Sequence, residues 1–263
     1  MINLEGLLAK LKQKDEVDAV LLTGSQGRGE HKEYSDIDLL IILRENTEHI
    51  FSLYQIIDNK PADIFFSDID ALRKIAEQDT LPANTMEAAF IDWLKEGRVE
   101  FDKSGTLSAL QAKVDELKKK ARVPEPEMRK FESLINHGYL TNKRYYASKQ
   151  PEYLEALEVK MLADINNILV GYFEFRNIPW RGEKRMIKYL KETDPEFYSL
   201  FFTFIRTGNN IDEKFTIYEK LISKVFFGDY RLWTKDTISP SIKGPMEEEK
   251  RFSLIEYWAK LIG

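Results

Sequence analysis

The chain has 263 residues, 43% of them apolar and 32% charged, with 16 Phe, 12 Tyr and 4 Trp. That length predicts one large or two modest domains with a substantial core, and that composition excludes a disordered or collagen-like chain. A net charge of −5 speaks against a protein that coats nucleic acid; the absence of cysteine excludes disulfides, thiolate zinc sites and a cysteine nucleophile, and points to the cytoplasm.

Residues 1–16 alternate apolar side chains with Lys10, Lys12, Lys14, Asp15 and Glu16 and predict an amphipathic helix, with no run long enough for a signal peptide. The apolar run 39–43 is far below the ~20 residues of a membrane helix, so no membrane partner is expected. Residues 17–22 and 37–43 are apolar and β-branched and predict two buried strands joined by a polar, glycine-containing connection. Helices are expected over 47–57, 68–78 and 86–94, strands over 62–66 and 98–101, and one further amphipathic helix over 107–121. Asp68 and Ser104 stand where N-caps belong.

Pro124 and Pro126, separated by one residue, mark the expected domain boundary. Before it, residues 1–121 carry 16 Lys+Arg against 23 Asp+Glu, a net −7; residues 122–263 carry 23 against 21, a net +2. Beyond the boundary only helical spacing is found, over 128–148, 151–176, 184–192, 195–207 and 211–227, then a surface loop over 233–245 and a last helix over 247–261. The expected fold is therefore α+β, a mixed sheet with flanking helices over 1–121 followed by an all-α bundle over 126–263.

The stretch that carries chemistry is 21–43, LLTGSQGRGEHKEYSDIDLLIIL. Alternation along a strand puts Asp36 and Asp38 on one face, with Ile37 on the other. Two carboxylates held together repel unless a cation joins them, and magnesium suits a hard oxygen donor set with bound phosphates. Gly24 has no side chain to keep phosphate away, the Ser25 hydroxyl can donate to it, and Arg28 adds a cation to the same loop. Metal-binding carboxylates beside a phosphate cradle are the requirements of phosphoryl or nucleotidyl transfer, and no Gly-Lys-Ser/Thr follows the glycines to make a Walker loop.

Gly24-Ser25, two residues, a basic residue and glycine, then Ser35-Asp36-Ile37-Asp38 resembles the signature of the DNA polymerase β-like nucleotidyltransferase superfamily. The helical second half is similar to its antibiotic-modifying branch, the aminoglycoside and lincosamide nucleotidyltransferases. The resemblance implies a third carboxylate on a later strand, and Asp63 sits where it belongs. It further implies that Asp36, Asp38 and Asp63 hold two Mg2+ ions and carry catalysis, while Gly24, Ser25 and Arg28 hold the triphosphate. The expected reaction moves a nucleoside monophosphate, AMP from ATP, to a hydroxyl of a small acceptor. A protein acceptor and a nucleotide- or partner-binding module with little turnover are the competing expectations. Nucleic acid is disfavoured as acceptor by the acidic first half. In the second half, Lys184 in the run Trp180–Arg185 is a candidate nucleotide contact, and Glu158 and Asp164 are weaker candidates for a base.

Overall fold

The computed structural model describes residues 3–118, 120–208, 210–240 and 248–262. The chain divides into two compact units, Met1–Ala121 and Arg122–Gly263.

In the first unit, α1 (Leu4–Lys12) leads into β1 (Val17–Thr23), the one-turn α2 (Gly24–Gly27) and β2 (Ile37–Leu43). A hairpin of β3 (Ser52–Ile57) and β4 (Lys60–Asp68) follows, then α3 (Ile69–Glu77), the two-residue β5 (Leu81–Pro82), α4 (Met86–Glu96), β6 (Arg98–Asp102), α5 (Thr106–Ala112) and α6 (Val114–Lys118). The sheet order is β3-β4-β2-β1-β6, with β2 and β4 parallel and the other neighbours antiparallel.

Every residue of β1 is buried because both faces of the sheet are covered. On one face Ala19, Leu21, Leu40 and Ile42 pack with Leu72 and Ile75 of α3, Phe90 and Leu94 of α4, and Leu107 and Leu110 of α5. On the other, Val20, Leu22, Leu39, Ile41 and Ile64 meet Leu4, Leu7, Leu8 and Leu11 of α1. Asp18, also buried in β1, accepts a hydrogen bond from Ser104 Oγ at 2.7 Å. A carboxylate in the core without such a partner would cost several kcal/mol.

Three local expectations need correction. Residues 47–57 do not form a helix: 52–57 are β3, an edge strand of the sheet. The reason is the turn after it, where Asp58 and Asn59 both take positive φ (51° and 60°) and join Ile57 to Lys60 as a two-residue hairpin. The helix over 107–121 is broken at Lys113, whose amide bonds back to Leu110 in a tightened turn, while Gln111 donates to the Leu94 and Gly97 carbonyls and anchors the break. Its last expected residue belongs to β7 (Ala121–Arg122), which pairs with β5. Ser104 is not the N-cap of α5: Gly105 holds that position, and the Asp102 carboxylate receives the Gly105 and Ser108 amides. Asp68 does cap α3, accepting from the Ala71 amide at 2.8 Å.

The second unit is all-helical from α7 (Glu125–Ser148) and α8 (Pro151–Glu174), each 24 residues long, through α9 (Glu183–Thr193), α10 (Pro195–Arg206) and α11 (Ile211–Val225) to α12 (Glu248–Ile262). Pro124 and Gln150 precede helices that carry proline in their first turn, where a missing amide costs nothing. The core is aromatic, with Phe173, Phe197, Phe204 and Tyr218 fully buried. Residues 241–247, the end of the expected loop and the first residue of the expected last helix, lie outside the described residues.

Candidate active site

The site grows from the ends of β1, β2 and β4. Strand pairing aligns Thr23 with Asp38, Asp38 with Asp63, and Asp63 with Tyr54. Residues paired across neighbouring strands share a face, so these four side chains form one row across four strands. Ile37 and Ala62, one position earlier on β2 and β4, are buried against the α1 layer, while the row lies on the α3–α5 side. Asp36 immediately precedes β2 and is half-buried, as are Asp38 and Asp63.

Gly24 opens the turn at the end of β1 with φ +62°, and a Cβ there would overlap Oδ2 of Asp38. The turn and the carboxylate are therefore packed directly on each other, an approach only glycine allows. Next to them, Thr23 Oγ1 and Ser25 Oγ are buried and have no hydrogen-bond partner. Buried hydroxyls are normally paired, and leaving one unpaired costs about 1–3 kcal/mol. Two of them on either side of Gly24 are suited to an oxygen-rich ligand. A divalent cation and phosphate oxygens fit this donor set: carboxylates for the cation, hydroxyl donors and a side-chain-free backbone for the phosphates. Among the described residues no three acidic or histidine side chains converge into a ready-made metal cage.

Arg28 does not point away unengaged. It closes α2 and lies between Glu30 (Nε–Oε2 2.9 Å) and Glu96 of α4 (Nη1–Oε2 2.8 Å). Burial alone would lower its pKa, but the hydrogen bonds to both carboxylates outweigh burial and raise it. Lys184 stands exposed in the first turn of α9, in the second unit. Nearby, burial and the neighbouring Arg185 push Arg181 down to about 10, so this helix start is crowded with positive charge. Glu158 is exposed on α8, and Asp164, only 4% exposed, is engaged by Lys160 Nζ and by Asn142 Nδ2 at 2.9 Å. Asp164 is thereby a member of a packed polar network rather than an accessible base.

Sequence reading missed two members of the row. Thr23 stands next to the Gly24-Ser25 pair and was discoverable as the last strand residue. Tyr54 was hidden by the mistaken helix over 47–57.

The first half of the chain is similar to a known family. Residues 4–123 match the family model described as Nucleotidyltransferase domain. The crystal structure of a nucleotidyltransferase-like protein from Exiguobacterium sibiricum 255-15 superposes with a TM-score of 0.45 at 10% identity, covering 84% of this chain and 72% of that one. No curated protein matches the chain. Among the described residues no helix is long and apolar enough to cross a membrane. Residues 4–123, somewhat under half of the chain, are thus similar to a nucleotidyltransferase domain, and the protein that carries them is by class a transferase.

Proposed function

We propose that the protein transfers AMP from ATP, with Mg2+, to a hydroxyl of a small molecule such as an aminoglycoside-like or lincosamide-like antibiotic, releasing pyrophosphate. The observation that carries this reading is the pair of orphaned hydroxyls, Thr23 and Ser25, on either side of a glycine that touches Asp38. Asp36, Asp38 and Asp63 are the residues that would hold the metal, which when bound neutralises phosphate charge.

In this reading Thr23 and Ser25 donate hydrogen bonds to the triphosphate, and Gly24 lets it approach the backbone. Asp63, at the outer end of the carboxylate row, receives the proton of the acceptor hydroxyl as its oxygen bonds to the α-phosphorus. The bond from that phosphorus to the bridging oxygen breaks, and its electron pair leaves on pyrophosphate. Arg28 serves the nucleotide by holding the loop to α4 through Glu96, and Lys184 on α9 is the further nucleotide-binding candidate. The two units are then a catalytic domain over 1–121 and a helical substrate- or nucleotide-closing domain over 126–263, acting in the cytoplasm.

The test is a thermal-shift titration with Mg·ATP, followed by pyrophosphate release with the four nucleoside triphosphates against hydroxylated antibiotics. A ligand that binds only the native state raises stability by mass action, about 2.7 kcal/mol at a hundredfold excess over Kd. Stabilisation by Mg·ATP and pyrophosphate release dependent on acceptor are expected; absence of any Mg·ATP shift overturns the reading.

A further inference from the structure

The row across the sheet has a direction. From β1 outward it runs Thr23, Asp38, Asp63, Tyr54, and β3, which carries Tyr54, is the edge strand. With neighbouring strands about 4.8 Å apart, the row spans roughly 14 Å. In a nucleotidyl transfer the attacking and leaving oxygens lie roughly in line through the phosphorus. If pyrophosphate leaves toward the orphaned hydroxyls of Thr23 and Ser25, the attacking oxygen must come from the other end of the row, which is the β3 edge.

That end is aromatic. Tyr54 is 65% exposed although it is the direct cross-strand neighbour of Asp63, and Ile56 on the same face is 53% exposed. Two residues along β4 from Asp63, Phe65 packs against Trp93 of α4 at 4.8 Å between centroids and meets Phe51 edge-on at 6.2 Å. An apolar floor thus adjoins an acidic row on one face. Segment 50–57 carries no charged residue, so nothing there repels an apolar guest.

We propose that Tyr54 is the acceptor platform: it stacks on the apolar face of a saturated, hydroxylated ring and so presents a ring hydroxyl to Asp63. The inference rests on the nucleotidyl-transfer reading above. Bond making and breaking are those already described: the ring oxygen bonds to the α-phosphorus, its proton passes to Asp63, and the displaced electron pair leaves on pyrophosphate. A ring suits the spacing better than a peptide. A peptide added as an extra strand beside β3 would lie two strand spacings from Asp63, roughly 9–10 Å, beyond the reach of hydroxyl attack. A ring lying on Tyr54 is one spacing away.

The experiment uses the full chain with Mg·ATP and three ring probes, kanamycin, lincomycin and methyl α-glucoside, beside a serine-containing heptapeptide; pyrophosphate release and Mg·ATP affinity are both read. At least one ring probe is expected to be accepted. With it, Tyr54→Ala is expected to raise the acceptor KM roughly tenfold while leaving Mg·ATP affinity unchanged, and Tyr54→Phe, which keeps the ring, to stay within about threefold of wild type. An unchanged acceptor KM in Tyr54→Ala, an equal loss of Mg·ATP affinity, or acceptance of the peptide but of no ring each overturns the platform. So does wild-type Mg·ATP binding without release on any probe. Failure of wild type to bind Mg·ATP instead overturns the transfer reading itself, which separates the two failures.

Discussion

The two units differ in where their buried polar groups gather. In the helical unit many are knitted into networks: Asn142 donates to Asp164 and to Tyr218 though its own Oδ1 is buried without a partner, Lys160 pairs with Asp164, and Asn136 both donates to the Arg231 carbonyl and accepts from the Trp233 amide. In the sheet unit the hydroxyls of Thr23 and Ser25 are buried with nothing to bond to, and the carboxylates of Asp38 and Asp63 are held side by side. The first arrangement lowers the free energy of the fold. The second raises it, and beside paired carboxylates and a turn without a side chain it is a cost that a ligand can recover. The same residue type therefore has different meanings: Asp164 is part of the core, whereas Asp38 and Asp63 are part of a site.

The strongest way to break this comparison is Gly24→Val. A branched side chain at φ +62° is strained, and its Cβ would displace the Asp38 carboxylate from the turn. Loss of Mg·ATP binding below detection is expected by calorimetry, together with a lowered Tm; retained affinity would reduce the turn to a mere connection. Next comes Asp36→Asn combined with Asp38→Asn. The double variant is expected to fold at least as stably as wild type, because like charges are removed, yet to lose the magnesium-dependent part of the ATP thermal shift. Equal shifts in the two proteins would contradict the metal assignment.

Asp164→Ala should do the reverse. It leaves Lys160, which is partly exposed, and Asn142 without a shared partner, and a loss of about 2 kcal/mol is expected in urea unfolding, with Mg·ATP affinity unchanged. A drop in affinity at unaltered stability would place Asp164 in the site after all. Ser25→Ala sharpens the contrast at smaller scale. Mg·ATP binding should weaken by about 1–2 kcal/mol as one bond to a charged group is lost, while the ligand-free protein should hold or gain stability because an unpaired buried hydroxyl is gone. Smallest is Lys184→Ala: a surface cation on α9 is expected to raise the KM for ATP by about threefold, with the folded state unaffected. No change in any kinetic constant would remove Lys184 from the nucleotide-binding candidates.

Much of the architecture could be read from periodicity. The helices α7 to α11 follow their 3.6-residue apolar spacing to within a few residues, because each helix is a local object whose apolar stripe is written in consecutive residues. Strands β1, β2, β4 and β6 were equally clear. The helix expected over 47–57 failed for a different reason. Its apolar residues fit either period, and the deciding signal was Asp58-Asn59, two residues able to take positive φ and close a hairpin. Lys113 likewise interrupts a regular pattern through a tertiary tie, the Gln111 bonds to Leu94 and Gly97.

For the site, the sequence by itself determined the local chemistry: glycine and serine at a strand end, and aspartates at positions 36 and 38 on one side of a strand. These are properties of neighbouring residues, and short-range geometry suffices to place them. Only the tertiary structure decided that Thr23, Asp38, Asp63 and Tyr54 stand in one row, since that depends on the register of four strands whose partners are up to 25 residues apart, as in Asp38 with Asp63. It also decided that Arg28 faces Glu96 rather than solvent. Register is selected by burial of whole sheet faces, because a slip of one residue would turn every core side chain outward, and no single residue announces it.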